Sequence, residues 1–258
     1  MDEIAKYNQG RWRRLVGANA VFTRPALDLD LRTARHRIDP RGWLGSVDGK
    51  RVLILAGGGG QQSVAFALLG AQVTVLDLSD AQLASDRLAA VRLGLEIETV
   101  EGDMRDLSAF DPAGFDIVTQ PYSLNFVPDC QAVFHEVSRI VRPGGMYSVD
   151  VATPYFVGVG ERDFDGQGYV VKLPYLQGVL VETPDAAWVA GGRPVEPARE
   201  YRQTLATVIN GLVAEGFRIT HLDEGLHTDP DPQATPGSWD HFNSVVPPWL
   251  TFWTVRDR

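Results

Sequence analysis

Cysteine is nearly absent from this chain, and long apolar runs are missing altogether. Cys130 is the single cysteine among 258 residues, so an intrachain disulfide is excluded and nothing points to an oxidising compartment. The N-terminal segment from Met1 to Gly10 is polar and lacks the apolar core of a signal peptide. No run approaches the roughly 20 apolar residues that span a bilayer. We therefore expect a cytoplasmic protein that does not associate with membranes.

Positive charge is also scarce. The 24 Lys and Arg residues are outnumbered by 33 Asp and Glu residues, which gives a formal net charge of -9. The one basic stretch, Arg11 to Arg14, is short and typical of a solvated helix face. Because an acidic chain without a dense basic cluster repels phosphate backbones, we expect no nucleic-acid partner.

The chain does contain enough apolar sequence for a large core, arranged as alternating strands and helices. Hydrophobic residues make up 44% of the chain. Buried-strand patterns alternate with helical periodicity in its first half, and this alternation predicts a parallel, doubly wound α/β sheet. The predicted strands cover 51–56, 72–76, 96–100, 115–119 and 146–151, and the predicted helices cover 62–69, 81–93 and 131–141.

After residue 153 the alternation stops. Residues 154–198 are rich in Gly, Pro and aromatic residues, which predicts an insertion that caps the sheet. The aromatic residues of this cap include Tyr155, Phe156, Phe164, Tyr169, Tyr175 and Trp188. Beyond the cap we predict a helix, a strand, a long loop and a last strand, at 202–215, 217–222, 225–248 and 249–255. A strand–helix series that ends in an antiparallel hairpin predicts a seven-stranded, mostly parallel sheet with helices on both faces.

Glycine or acidic residues follow each of the first three predicted strands. Four glycines, Gly57 to Gly60, follow the first, Asp77 ends the second, and Gly102-Asp103-Met104 follow the third. Glycine lets a backbone approach a ligand closely, and a carboxylate after the second strand can accept both ribose hydroxyls of an adenosine. Asp103 can accept the adenine amino group while Met104 packs on the ring. Since these strand ends converge in an open α/β sheet, the pattern predicts a site for an adenosine-containing ligand.

Each of the three features also has a purely structural interpretation. A glycine-rich loop serves NAD, FAD and nucleotides as well. Asp77 precedes a predicted helix and is a candidate helix cap, although Ser79 or Asp80 would cap that helix equally well. Asp103 is compatible with an ordinary turn. Agreement of all three at consecutive strand ends favours the binding site over the separate alternatives.

Taken together, these motifs resemble the class I S-adenosylmethionine (SAM)-dependent methyltransferases, of a bacterial small-molecule type. Residues 52–62, VLILAGGGGQQ, are similar to motif I of that family, 76–79 to its ribose motif and 102–104 to its adenine motif. The segments FDIV at 115–118 and RPGG at 142–145 complete the set. The resemblance implies a Rossmann-like sheet, SAM as cofactor, a helical arm or lid over 1–45 and a methyltransferase domain over 46–258.

The resemblance also implies which residues contact SAM. They are Ala56, Gly57, Gly58, Gly60, Gln61, Asp77, Leu78, Gly102, Asp103, Met104 and Gln120. One departure concerns motif I, where the family carries an acidic residue two positions before the first glycine. In this chain Ile54 stands at the position of the acidic residue, and Ala56 stands at the position of the first glycine. Gln61 or Gln62 is a neutral replacement for the missing contact to the amino acid end of SAM.

Methyl transfer requires alignment of the acceptor and exclusion of water, because the sulfonium of SAM already activates the methyl group. The loop after the fourth strand, Thr119-Gln120-Pro121-Tyr122, lacks the Asn and second Pro typical of the amino-methylating branch. We expect a small organic acceptor, with O-, N- and C-methylation all left open. The expected substrate-binding residues are Trp12, Tyr122, Asn125 and Trp239.

Tyr7 and His241 are the candidate catalytic residues, although His241 is equally compatible with a packed or capping histidine. We expect no metal, because no tight carboxylate cluster is evident. The N-terminal arm and the loop at 225–248 are predicted to close the acceptor pocket. A homo-oligomer is left open.

Two other functions share part of the pattern. An NAD(P)-dependent oxidoreductase also uses a glycine loop and an acidic residue after the second strand, but Gly102-Asp103-Met104 and the terminal hairpin argue against it. A non-catalytic SAM-binding protein has no feature that distinguishes it in sequence.

Overall fold

A seven-stranded sheet forms the centre of the computed structural model, which describes residues 2–159, 164–182, 189–190, 193–225, 231 and 233–257. Its strands are β1 (Arg51–Leu55), β2 (Gln72–Asp77), β3 (Ile97–Glu101), β4 (Phe115–Gln120), β5 (Val141–Ala152), β6 (Phe217–Asp223) and β7 (Trp249–Arg256). Their order across the sheet is β6-β7-β5-β4-β1-β2-β3. Strand β7 runs antiparallel to both of its neighbours, β6 and β5, and the remaining neighbouring pairs are parallel. The predicted fold class is confirmed.

Helices cover both faces of this sheet. They are α1 (Glu3–Gly17), α2 (Leu31–Ile38), α3 (Gln62–Leu68), α4 (Asp80–Leu93), α5 (Cys130–Ile140), α6 (Pro154–Val159), α7 (Leu205–Ala214) and α8 (Trp239–Val245). Alternate residues of β1 point to opposite faces, as the period of a strand requires. Leu53 and Leu55 pack in the core with α5 and α7, whereas Val52 and Ile54 pack with α2 and α3. The single cysteine, Cys130, is fully buried in the first of these cores.

Helix α4 has clear local signals at both of its ends. The Ser79 hydroxyl accepts a hydrogen bond from the Gln82 amide at 3.3 Å, so Ser79 is the N-cap. Gly94 ends the helix with φ +65°, a left-handed conformation that glycine adopts without a Cβ clash. The helix therefore starts directly after β2 and leaves Asp77 at the strand end.

The two largest differences between the structure and the sequence prediction concern β5 and the predicted loop at 225–248. Strand β5 begins at Val141, five residues before the predicted start, because Val141 pairs with Phe115 and a register shift precedes the pair of Ile117 and Met146. The RPGG segment is thus an irregularity within the strand, with Gly144 at φ +73°. The second difference is α8, which lies within the predicted loop at 225–248.

The predicted cap contains little regular structure among its described residues. It includes α6 and two short antiparallel ladders, one joining Leu180–Val181 to Glu200–Tyr201 and the other joining Val189–Ala190 to Arg193–Pro194. The cap residue Trp188 lies outside the described residues. No helix in the described part of the chain has both the length and the apolarity to cross a membrane.

Candidate active site

The sheet order places the three predicted motifs side by side. Strand β1 lies between β4 and β2, and β3 lies beyond β2. Backbone hydrogen bonds join the strand ends, from the Ala56 amide to the Leu76 carbonyl at 2.7 Å and from the Gly102 amide to the Asp77 carbonyl at 3.1 Å. The glycine loop, Asp77 and the segment after β3 therefore share one edge of the sheet.

The glycine loop makes close contacts that side chains would prevent. A Cβ atom on Gly57 would lie 2.6 Å from Pro121 Cγ, and one on Gly58 would lie 2.9 Å from Asp77 Oδ2. Gly60 adopts φ +79°, and Ala56 adopts φ +51° despite its side chain. Left-handed backbone at Ala56, the position of the first motif I glycine, costs about 1 kcal/mol for a residue with a Cβ.

The amides of this loop are held by two buried carboxylates. Asp77 Oδ2 accepts the Gly58 amide at 3.0 Å, and the two Asp86 oxygens accept the amides of Gly59 and Gly60 at 2.8 and 2.9 Å. Asp77 Oδ1 also accepts the Ser79 amide at 2.8 Å. Three consecutive loop N–H groups are therefore bonded to the protein itself.

Burial controls the ionisation of both carboxylates. Removal from water, together with the nearby Asp86 charge, raises the pKa of Asp77 to about 6, although the amides of Ser79 and Gly58 act to lower it. Burial also raises the pKa of Asp86, against its bonds to Ser63 and the loop amides. Because Ser79 caps α4, the helix-cap interpretation of Asp77 is not needed to explain its position.

The adenine side of the predicted site is rigidly organised. Arg105 forms ion pairs with Asp103 at 2.5 Å and with Asp2 at 2.7 Å, and these bonds raise the pKa of its guanidinium. Met104 is buried, and its sulfur accepts a hydrogen bond from Gln120 Nε2 at 3.3 Å. Gln120 is also buried, with its amide further engaged by Ser123 and Tyr147. Cofactor contacts of Asp103 and Gln120 stay predictions.

The N-terminal arm lies against this edge of the sheet. Gln9 Nε2 donates to the Leu78 carbonyl at 2.7 Å, and Arg13 forms an ion pair with Asp80 at 2.7 Å. Further along the arm, the Ala26 amide donates to the Gly60 carbonyl at 3.0 Å. A fourth link runs from Gln61 Nε2 to the Phe22 carbonyl at 2.6 Å. The arm is therefore tied to the glycine loop and to the start of α4.

Aromatic side chains surround the loop after β4. The ring of Tyr122 meets Phe126 and Trp249 in edge-on contacts, with centroids 5.9 and 6.3 Å apart. Trp12 of α1 contacts Phe126 at 6.1 Å, and Trp239 of α8 contacts Trp249 at 6.1 Å. These five residues form what we call the aromatic wall, and they bring the arm, the loop after β4 and the loop before β7 together.

Glu200 lies beside this wall and was not anticipated from the sequence. Its Oε2 accepts the Tyr122 hydroxyl at 2.8 Å. Burial and the Glu200 charge hold the pKa of Tyr122 well above its usual range, so the phenol is neutral and donates. The guanidinium of Arg11 is also buried, and burial lowers its pKa while the Glu200 charge raises it.

Asn125 and Tyr7 both contact the segment that contains Glu200. Asn125 is buried, donates to the Tyr201 carbonyl at 3.2 Å and accepts the Ala152 amide at 3.3 Å. The Tyr7 hydroxyl donates to the Pro197 carbonyl at 2.8 Å, and Arg199 stacks over its ring at 4.0 Å. Tyr7 thus joins the N-terminal arm to the cap, and Asn125 joins the loop after β4 to the segment that follows the cap. Their predicted roles with the acceptor or in catalysis stay predictions.

His241 lies at the N-terminal end of α8, within the cap's aromatic residues. Its Nδ1 is 2.8 Å from the Tyr169 hydroxyl, and its ring contacts Phe164 edge-on at 5.0 Å. Phe242, its neighbour, packs on Tyr169 in a small separate core. These contacts fit the packed-histidine interpretation, and a role for His241 as a base stays a prediction.

Comparison with known proteins identifies the family. A methyltransferase-domain family matches residues 53–149. The protein named "Uncharacterized methyltransferase YbaJ" from Bacillus subtilis is 33% identical over 213 residues, which cover 77% of this chain and 81% of that protein. The chain belongs to the SAM-dependent methyltransferases. Its cofactor is SAM.

Other relatives of this methyltransferase match it over a shorter stretch. The ubiquinone biosynthesis O-methyltransferase of Azotobacter vinelandii is 41% identical over 97 residues, which cover 38% of this chain and 42% of that protein. The chain thus spans less than half of that relative. A solved SAM-dependent methyltransferase structure from Mesorhizobium loti shares the fold, with a TM-score of 0.66, 24% identity, and coverage of 90% of this chain and 100% of that one.

Asp86 is a second part of the methyltransferase site, after Glu200, that sequence reasoning missed. It lies 27 residues beyond Gly59, on a helix that carries no motif. A sequence signal was nevertheless present, because the apolar residues Leu83 and Ala89 lie three residues to either side of Asp86, at helical spacing. An aspartate on the apolar face of a helix requires a partner, and here the partners are the loop amides.

No group of three or more metal-binding side chains stands close enough to hold an ion within the part of the chain that the structure describes. The expectation that this methyltransferase works without a metal stays a prediction.

Proposed function

We propose that this methyltransferase transfers the SAM methyl group to a small organic acceptor, which binds between α1, the loop after β4 and the segment around Glu200 that follows the cap. The observation that carries the proposal is the position of the aromatic wall. It lies beside the edge of the sheet that holds the glycine loop, Asp77 and the segment after β3, which we call the cofactor edge. Tyr122 lies two residues after β4, and β4 adjoins β1. An acceptor in contact with Tyr122 is therefore next to the glycine loop.

The cofactor placement within this proposal follows the strand order. Adenine lies at Gly102 to Met104 after β3, ribose at Asp77 after β2, and the amino acid end at the glycine loop after β1. Asp77 accepts two protein N–H groups, from Gly58 and Ser79. Since a carboxylate offers about four lone-pair sites, it has capacity for two ribose hydroxyls without losing either bond.

The chemistry around the wall favours an acceptor with an apolar body and one polar group. Aromatic rings bind flat apolar molecules, and they are supplied here by three separate segments of the chain. The relatives from ubiquinone biosynthesis are named O-methyltransferases, and we propose a hydroxyl oxygen as the acceptor atom. That oxygen attacks the methyl carbon, a C–O bond forms, and the S–C bond of SAM breaks to leave S-adenosylhomocysteine.

We propose that the Glu200 carboxylate takes up the proton that the acceptor hydroxyl loses during methyl transfer. Its carboxylate already accepts a hydrogen bond from the Tyr122 hydroxyl at 2.8 Å. A second hydroxyl, on the acceptor, can donate to the same carboxylate and pass its proton to it as the methyl group is transferred. Tyr122 then holds Glu200 in position and forms part of the pocket.

The occupied loop amides argue against the oxidoreductase alternative. A dinucleotide pyrophosphate binds to free N–H groups of a glycine loop and helix N-terminus. In this methyltransferase Asp77 and Asp86 take the amides of Gly58, Gly59 and Gly60. Two buried carboxylates beneath the loop suit a cationic ligand such as SAM better than a pyrophosphate.

The proposal is tested by turnover. Purified enzyme is incubated with methyl-labelled SAM and a panel of small phenols, alcohols and amines, and label in the acceptor is measured. We expect methylation of a hydroxyl compound, lowered by Tyr122→Phe and more strongly by Glu200→Gln, with SAM affinity unchanged in both.

Tyr155→Phe provides the matched control, because Tyr155 is exposed on the cap. A nitrogen acceptor, or hydroxyl methylation at the parental rate in Glu200→Gln, would exclude the proposed proton transfer. SAM binding without labelling of any compound would favour the non-catalytic alternative.

A further inference from the structure

Asp86 is a fully buried carboxylate outside every predicted motif. Its side chain accepts hydrogen bonds from the Gly59 amide at 2.8 Å, from the Gly60 amide at 2.9 Å and from the Ser63 hydroxyl at 2.5 Å. All three donors lie between the end of β1 and the first turn of α3. The contacts of Asp86 with the glycine loop are therefore all made to its second half.

That half of the loop has a conformation that depends on support. Gly59 and Gly60 adopt φ +115° and +79°, which side chains rarely adopt. A Cβ on Gly60 would lie 2.7 Å from Pro25 of the arm. Fixing a loop of flexible glycines costs a large amount of conformational entropy. The hydrogen bonds to Asp86 hold the loop in one conformation before the ligand binds.

The two buried carboxylates divide the loop between them. Asp77 bonds to the Gly58 amide on the side nearest β2, whereas Asp86 bonds to the amides of Gly59 and Gly60. Under the cofactor placement proposed above, Asp77 contacts ribose. The part of the loop that Asp86 holds then faces the amino acid end of SAM, which is farthest from adenine.

We propose that Asp86 is a positioning residue for the α-amino acid end of the cofactor. It fixes Gly59 and Gly60 in the shape that receives this end, and its buried negative charge attracts the ligand's ammonium group. Asp86 touches neither adenine nor ribose. The inference rests on the proposed cofactor placement. It predicts that the affinity for the amino acid end of the ligand can be weakened separately from the affinity for its adenosine part.

The experiment compares two ligands that share the adenosine and its 5′ sulfur and differ only in the group attached to that sulfur. S-adenosylhomocysteine contains the amino acid end, whereas 5′-methylthioadenosine replaces it with a methyl group. Calorimetry measures both dissociation constants in the parent enzyme and in Asp86→Asn. We expect the variant to bind S-adenosylhomocysteine roughly tenfold more weakly, as for loss of a charged hydrogen-bond partner, and to bind 5′-methylthioadenosine within about twofold of the parent.

Two further variants keep the outcomes apart. Asp77→Asn should weaken both ligands, and if it weakens neither, the cofactor placement itself is wrong. Glu96→Gln is the matched acid-to-amide control just beyond α4, at an exposed position, and should change neither constant. If Asp77→Asn weakens both ligands and Asp86→Asn also weakens both equally, Asp86 supports only the fold and this inference is overturned.

Ser63→Ala covers the case in which Asp86→Asn does not fold. It removes the 2.5 Å hydroxyl contact to Asp86 and leaves the carboxylate in place. We expect a smaller loss, about threefold for one hydrogen bond, again confined to S-adenosylhomocysteine. An unchanged constant for that ligand, or an equal loss for both, would contradict the proposal in the same way.

Discussion

Asp77 lies beneath the glycine loop with a pKa raised to about 6, and its ionisation should therefore control cofactor affinity. Two ribose hydroxyls donate to an ionised carboxylate, whereas a protonated carboxyl has lost part of its capacity to accept. The ligand-free enzyme must give up the Asp77 proton before it binds tightly. Because the raised pKa belongs to the ligand-free state, affinity should be full above pH 7 and should fall as the pH drops through 6.

The magnitude follows from that pKa. At pH 5 about one Asp77 carboxyl in eleven is ionised, so the dissociation constant rises about tenfold, which is about 1.4 kcal/mol. The assay is calorimetric titration with S-adenosylhomocysteine between pH 3.5 and 7.5 at constant ionic strength, on the parent and on Asp77→Asn. The dissociation constant of Asp77→Asn divided by that of the parent should therefore fall about tenfold from pH 7.5 to pH 5.

Taking the ratio cancels the titrations that are not coupled to Asp77. The ligand's amino group is present in both measurements and affects both curves alike. A ratio that stays constant across this pH range would refute the reasoning, because it would mean that ribose does not need an ionised Asp77. A change in ratio centred near pH 4 would instead mean that burial does not raise the pKa of Asp77.

Three other predictions concern the metal, the arm and the loop. Methyl transfer should persist in EDTA, since no cluster of three or more metal-binding side chains is present among the described residues. Tyr7→Phe and His241→Ala should each lower acceptor turnover while SAM affinity stays nearly intact, because the arm and the α8 segment meet at the aromatic wall. Ala56→Gly should raise the free energy of unfolding in urea by about 1 kcal/mol, since Ala56 has φ +51°.

Each of these has a clear contrary outcome. Activity lost with EDTA and restored by magnesium would establish a metal requirement. Parental turnover in both arm and α8 variants, or joint loss of SAM binding and turnover, would reject a lid formed by these two segments. Equal unfolding midpoints for the parent and Ala56→Gly would show that the left-handed backbone there costs no free energy.

The sequence predicted the cofactor edge of the fold well because its signals are local. Apolar runs fixed the strands, and glycine or aspartate directly after a run fixed their ends, as Gly57 and Asp77 illustrate. Parallel strands bring such ends together regardless of what happens elsewhere in the chain. The start of β5 was mispredicted because pairing with Phe115 extends the strand through a segment that reads locally as a turn.

The acceptor side could not be predicted in the same way. Glu200 meets Tyr122 across 78 residues of chain, and Asn125 meets Tyr201 across 76. Such pairs depend on how Glu200 and Tyr201, just beyond the cap, pack against the loop after β4, and no periodic pattern predicts that contact. Helix α8 was missed for a related reason, because its seven residues are too few for a periodic pattern to stand out in a loop rich in Pro and Asp.

The burial of Cys130 has a practical consequence for measurements on this enzyme. Burial raises the pKa of its thiol to about 11, so at neutral pH roughly one molecule in ten thousand carries the reactive thiolate. A cysteine introduced at an exposed position of the arm, such as Glu3→Cys, would be the only thiol that a maleimide dye reaches. Fluorescence from that single label would report the arm directly, with the native cysteine left in place.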